Sequence, residues 1–269
     1  MIHIHDITKN TVYDHLLQDG WFGDVRNVST DIGWNEFLLE DLDIDFDEVK
    51  RSVFQTESQV GLKGWRTRGA EVKDYTGFSI TTNKNYVGDS PTLWHQTLGD
   101  KKTSDTYSAS RGSENFESKR NTYYDTYAFN EVHPNFKWLT DKFTGSVLRS
   151  RCSYAWSQHM NFPYTGGWHI DEHPWCLLRF VIPITTAPNW WIEFEDNRYN
   201  LEVGKGYVWN NRIPHRVAPS HPGNDPRINL IIGFSPWFYF EEGCFLKNEV
   251  YGMDLVEMIK EKKFLIDFV

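Results

Sequence analysis

The second half of this chain consists of strand-length runs separated by glycine and proline turns, and that punctuation constrains the fold more than any other feature. Residues 147–159 alternate, 177–184 form a nearly continuous apolar run, 201–210 read as strand, glycine turn and strand, and 227–234 alternate again. Period-two alternation marks half-buried strands and short apolar runs mark fully buried ones, so residues 133–240 are expected to form a β core. Helices are expected to flank it. Residues 45–55 have Asp45 as a cap and Val49, Val53 and Phe54 as an apolar face. Residues 134–142 begin at Pro134, place Phe136, Leu139 and Phe143 at helical spacing, and can end at Gly145. An amphipathic helix over 253–264 closes the chain.

Polar residues interrupt these strands in an ordered way. His169 and Asp171 come after Gly166 and Gly167 at what reads as a strand end. Being two residues apart, they leave one face of a strand and can grip one ion together. An HxD triplet is expected about once by chance in a chain of this length, so the weight falls on the downstream residues. His215 comes just past the 201–210 unit, and Arg227 and Asn229 share one face of the next strand. Two imidazoles and a carboxylate can occupy one face of a divalent iron and leave the opposite positions open for an organic acid and dioxygen. The Arg227 fork matches a carboxylate, with Asn229 as a neutral second donor or acceptor.

On these motifs, together with the strand over 179–183 and the glycine turn before Trp209 and Asn210, the stretch from about 145 to 238 resembles the iron(II)- and 2-oxoglutarate-dependent oxygenases. More narrowly, it resembles the aspartyl/asparaginyl β-hydroxylase-like branch that includes free-proline hydroxylases. The resemblance implies that His169, Asp171 and His215 hold Fe(II) and are catalytic. It implies that Arg227 pairs with the distal carboxylate of 2-oxoglutarate, assisted by Asn229, that Arg179 is a second basic group near this co-substrate, and that dioxygen is the oxidant. The substrate would be an amino acid, free or as an Asp or Asn residue in a peptide, hydroxylated at a C–H bond. Trp168, Tyr164 and Trp209 are candidates for lining its cavity, with aromatic core as an equally good role. The expected fold is mainly β with flanking helices around a double-stranded β-helix, a cupin-like jelly roll with the ligands at strand ends in its mouth.

The chain reads as one catalytic domain over 1–269. Residues 1–132 form an N-terminal elaboration with a candidate lid at 104–121, 133–240 the jelly-roll core with the metal site, and 241–269 a C-terminal helical segment. Aromatics make up 16% of the chain and include 12 tryptophans, enough to line a lumen that keeps water from a reactive oxidant. The net charge of -9, with no basic cluster, argues against nucleic acid as a partner. No run is long enough to cross a bilayer, and the first residues lack the pattern of a signal peptide. The expectation is therefore a cytoplasmic enzyme without a membrane partner, acting on a small molecule or a peptide. Cys152, Cys176 and Cys244 form no metal-ligand spacing and are expected to be free thiols. Glu193 and Glu195 read as the outward face of a half-buried strand. Two other classes fit the same residues: a jelly-roll protein that binds a small molecule or carbohydrate without turnover, and a zinc hydrolase using the same His, Asp and His.

Overall fold

The computed structural model describes residues 2–3, 28–67, 70–83, 130–148, 150–163, 168, 169, 171, 174, 177–241 and 244–266. The candidate lid at 104–121, Tyr164 and Cys176 lie outside these residues. The strands are β1 (Ile2–His3), β2 (Trp34–Leu38), β3 (Lys63–Thr67), β4 (Ala70–Ser79), β5 (Thr81–Asn83), β6 (Asn130–Val132), β7 (Arg151–Ala155), β8 (Leu178–Pro183), β9 (Trp190–Phe194), β10 (Arg198–Tyr199), β11 (Lys205–Trp209), β12 (His215–Pro219), β13 (Arg227–Phe234), β14 (Phe238–Glu241) and β15 (Cys244–Lys247). The helices are α1 (Phe46–Val60), α2 (Lys137–Thr140) and α3 (Leu255–Lys260).

Seven strands pair in the order β2-β11-β8-β13-β7-β4-β3, and three pair in the order β10-β9-β12. The chain passes between these two sheets: β8 lies in the large one, β9 and β10 in the small one, then β11 large, β12 small and β13 large. All the pairings are antiparallel. This winding is the expected double-stranded β-helix. Two smaller sheets, β1-β15-β14 and β5-β6, stand beside it.

Side-chain alternation gives the large sheet two different faces. On β13, Ile228, Leu230, Ile232 and Phe234 join a core with Val49 and Val53 of α1 and Leu255, Met258 and Ile259 of α3. Residue Ile231 points the other way, toward Val181, Ile192, Tyr207 and Trp209 between the two sheets. The helices thus brace the back of the sheet, and the remaining face is free to line a lumen. Full burial of Val49 and Val53 contributes about 1.5–3 kcal/mol each.

Helix α1 is capped as expected, since the Asp45 side chain accepts from the Asp47 amide at 2.9 Å. Phe54, expected on the buried face, is instead 45% exposed, while Ser52 and Thr56 are buried. Val49, Val53 and Thr56 follow the i, i+4, i+7 stripe, and residue 54 is rotated off it. The helix expected over 134–142 is split into a 3-10 turn, Pro134–Phe136, and the short α2. Its apolar triad of Phe136, Leu139 and Phe143 is nevertheless buried. The long strand expected over 147–159 shortens to β7 followed by a 3-10 turn at Ser157–His159, and the C-terminal segment carries β15 as well as α3.

The glycine turn before Trp209 has two separate causes. Gly204 holds φ at +78°, a left-handed conformation that costs other residues energy. At Gly206, a Cβ would stand 2.1 Å from Cζ of Phe180, so β11 closes on β8 only with glycine there. Cys152 is a buried free thiol. No helix among the described residues is long and apolar enough to cross a membrane.

Candidate metal centre and lumen

His169 and His215 are joined by two backbone hydrogen bonds, each amide donating to the other's carbonyl at 2.9 Å. This bridge adds residue 169 to the edge of the small sheet beside β12 and sets the two imidazoles side by side, with ring centroids 4.6 Å apart. Two residues on, the Asp171 amide donates to the Asn211 carbonyl at 2.9 Å, which fixes the carboxylate at the same end. Oδ2 of Asp171 stands 3.5 Å from Nε2 of His215 and 3.9 Å from Nε2 of His169. The three residues offer ligand atoms that all lie within 4.8 Å of one another. Donors on one face of an octahedral divalent ion stand about 3 Å apart, so a small contraction would let this set close on iron.

The surroundings of the triad favour metal binding. Nδ1 of His215 lies 2.9 Å from the Ile213 carbonyl. A carbonyl oxygen only accepts, so Nδ1 carries the proton and the lone pair of the neutral ring sits on Nε2, facing Asp171. Arg179, expected near a co-substrate, donates from Nη1 to Oδ2 of Asp171 at 2.5 Å. Burial opposes the charge on Asp171 most strongly, but the Arg179 guanidinium and the neighbouring rings of His215 and His169 together hold its carboxyl well below the usual carboxylate range. Asp171 is therefore ionised and ready to serve as a ligand.

The lumen runs back from the triad over the inner face of the large sheet. Arg227 and Asn229 open β13 on that face and are buried. The Arg227 guanidinium lies 5.0 Å from the ring centre of the fully buried Trp190, a cation–π contact that orients its fork. Oδ1 of Asn229, Nε1 of Trp209 and both amide atoms of Asn211 are buried without a hydrogen-bond partner. Buried polar groups are normally satisfied, so these atoms mark where a polar ligand fits. Trp209 packs edge-on against His215 at 6.4 Å. Trp168, expected beside it, is 48% exposed and lies over Arg216 at 5.0 Å. Arg216 also donates to Glu193 at 2.6 Å. Since residues 168 and 216 alternate with 169 and 215, this group stands on the outer face of the small sheet, where Glu193 was expected.

Two buried residues escaped the sequence: Arg151 and Asn211. Arg151 pairs across β13 with Ile231 and so shares the lumen face. The only signal was its phase with Ser153 and Ala155 in a strand that reads as ordinary alternation. Asn211, in the turn after β11, carried no signal at all.

No protein-family model matches the sequence, and no curated protein matches it. Among solved structures, the chain is similar to an oxidoreductase of the 2OG-Fe(II) oxygenase family from Burkholderia pseudomallei, with 12% identity, 83% of this chain and 89% of that one covered, and a TM-score of 0.40. It is also similar to a Trichoplax adhaerens prolyl hydroxylase in complex with a hypoxia inducible factor peptide fragment, at 12% identity, 85% and 96% coverage and TM-score 0.37. A Pseudomonas putida prolyl-4-hydroxylase gives 14%, 85%, 98% and 0.33. These likenesses are remote, and the functional conclusion rests on the geometry of the site itself.

Proposed function

We propose that this chain is an iron(II)- and 2-oxoglutarate-dependent oxygenase of the aspartyl/asparaginyl β-hydroxylase-like kind, hydroxylating a C–H bond of an amino acid, free or as an Asp or Asn residue in a peptide. One observation carries this: His169, Asp171 and His215 converge at one end of a lumen whose inner face also holds the buried Arg227 and Asn229. Iron(II) held by Nε2 of both histidines and Oδ2 of Asp171, together with 2-oxoglutarate, would supply the oxidation of the C–H bond by dioxygen.

The residues of the chain divide the remaining work. Arg227, oriented by Trp190, pairs with the far carboxylate of 2-oxoglutarate, and the Asn229 amide adds a hydrogen bond. Arg179 neutralises Asp171 and keeps its Oδ2 aimed at the two imidazoles. Trp209 closes the wall beside His215 and keeps water from the reacting centre. Tyr164 would contact substrate, whereas Trp168, turned outward onto Arg216, would not.

The test is succinate formation from 2-oxoglutarate by the full chain with Fe(II), coupled to the gain of one oxygen atom by a free amino acid or a short peptide. His169→Ala and His215→Ala should abolish it, and Arg227→Ala should chiefly raise the half-saturation for 2-oxoglutarate. Full activity in either histidine variant refutes the ligand assignment. Hydrolysis supported by zinc without oxygen would point to a hydrolase instead, although Asp171 is the only buried carboxylate among the described residues and leaves no second one to act as base. Ligand binding without turnover would point to a non-catalytic jelly roll.

A further inference from the structure

The far end of the lumen holds a hydrogen-bond donor that no role given above uses. Trp190 opens β9 and is 1% exposed, and its indole Nε1 is buried without a hydrogen-bond partner. Its main chain, by contrast, is well engaged. The Trp190 amide donates to the Ala187 carbonyl at 3.0 Å, and Nδ2 of Asn200 donates to the Trp190 carbonyl at 2.6 Å and to that of Ala187 at 3.1 Å. The residue is held in place with one polar atom left over. An indole N–H can only donate, and a donor left buried and unanswered costs free energy, so the position calls for an acceptor from outside the chain.

The register places this donor. Along the small sheet, Phe194 sits opposite His215, Ile192 opposite Val217 and Trp190 opposite Pro219. Trp190 thus faces inward with Ile192 and Phe194, four residues from the metal end. Arg227 of β13 sits opposite Ala155 of β7, and Ala155 lies in one buried cluster with Trp190. Val217 packs against both that cluster and the one containing Ile231 and Val181, so Trp190 closes the same interior that opens on the triad. The Arg227 guanidinium lies over the indole, 5.0 Å from the ring centre. An aromatic face is negative and its edge positive, so a cation over the face leaves the N–H edge for an anion.

We infer that Trp190 is a specificity-determining residue for the co-substrate: its indole N–H donates to the far carboxylate of the 2-oxo acid beside Arg227, and so selects a dicarboxylate over a monocarboxylate. This rests on the co-substrate role proposed for Arg227. A guanidinium attracts an anion over a wide region, whereas a second donor on a rigid ring fixes where the carboxylate ends. The keto end is then presented at the triad in one position.

The experiment reads binding rather than turnover, on the Zn(II)-loaded full chain with two acids: 2-oxoglutarate, and 2-oxovalerate, which carries a methyl group in place of the far carboxylate. Trp190→Phe keeps an aromatic face for Arg227 but has no N–H. By calorimetry it should bind 2-oxoglutarate about tenfold or more weakly, the scale of a hydrogen bond to a charged group, and 2-oxovalerate within about twofold of the parent. A distorted pocket would weaken both acids alike, and that result would overturn the inference. By nuclear magnetic resonance, one of the 12 indole N–H signals of the parent chain should move downfield with 2-oxoglutarate and not with 2-oxovalerate, and should be missing from Trp190→Phe. Trp209, beside His215, should respond to both acids. The comparison of acids on the parent stands even where a melting curve shows that the variant unfolds, and the lack of any signal selective for 2-oxoglutarate would overturn the inference. If 2-oxoglutarate binds and is weakened by Arg227→Ala but not by Trp190→Phe, the co-substrate site stands and the role of Trp190 falls. If 2-oxoglutarate does not bind the parent at all, the oxygenase assignment falls as well.

Discussion

Nη1 of Arg179 and Oδ2 of Asp171 lie 2.5 Å apart, and this is the same carboxylate oxygen that faces the Nε2 atoms of His215 and His169. One oxygen thus serves a guanidinium and the proposed metal position together. Both side chains are almost fully buried, at 9% and 5% exposure, so the pair is little screened by solvent.

Removing Arg179 should therefore expose a conflict that a metal can relieve. Arg179→Met leaves a buried carboxylate without its guanidinium and should destabilise the metal-free chain by about 3–5 kcal/mol. Mn(II) supplies the missing positive charge, so its addition should raise the melting temperature of the variant more than that of the parent. Equal Mn(II) shifts in the two proteins would show that the guanidinium and the metal do not share Asp171.

Asn229 should show function and stability pulling apart. Its Oδ1 is buried without a partner, a cost that an apolar residue of similar size does not carry. Asn229→Leu should melt at the same temperature as the parent or higher, while the half-saturation for 2-oxoglutarate rises about tenfold, the worth of one good hydrogen bond at about 1.4 kcal/mol. A lower melting temperature with an unchanged half-saturation would return Asn229 to the scaffold.

The glycine turn should be intolerant at one position and merely strained at the other. Gly206→Ala drives a methyl group into the Phe180 ring and should cost about 1–3 kcal/mol by overpacking. Gly204→Ala meets no atom within 4 Å and carries only the cost of its left-handed backbone, about 1 kcal/mol. Urea denaturation of the two variants would test the ranking, and a larger loss at 204 than at 206 would contradict it.

Stability should also fall on mild acidification. Burial pushes the His133 imidazole below its ordinary value, so below about pH 6.5 the unfolded chain takes up this proton before the folded one. The contribution is complete above about pH 6.5 and is lost as pH falls through the lower folded value. The melting temperature should drop between pH 7 and pH 5, and His133→Asn, which keeps a cap acceptor for the Asn135 amide, should drop less. Identical pH slopes would remove His133 as a source of the effect.

What the sequence determined is local. Alternation over 227–234 located β13 and the shared face of Arg227 and Asn229, the HxD spacing pointed to His169 and Asp171 as a pair facing one ion, and Asp45 marked the start of α1. Each of these comes from the period of one element, which a linear chain displays directly. Only the tertiary structure decided that His169 bridges to His215, that Trp168 turns outward onto Arg216, that Arg179 clamps Asp171 and that Arg151 is buried in the lumen. Those outcomes depend on which strands pair and in what register, a choice made by the collective burial of side chains distant in sequence, and a one-residue slip in that register would exchange every inward and outward face.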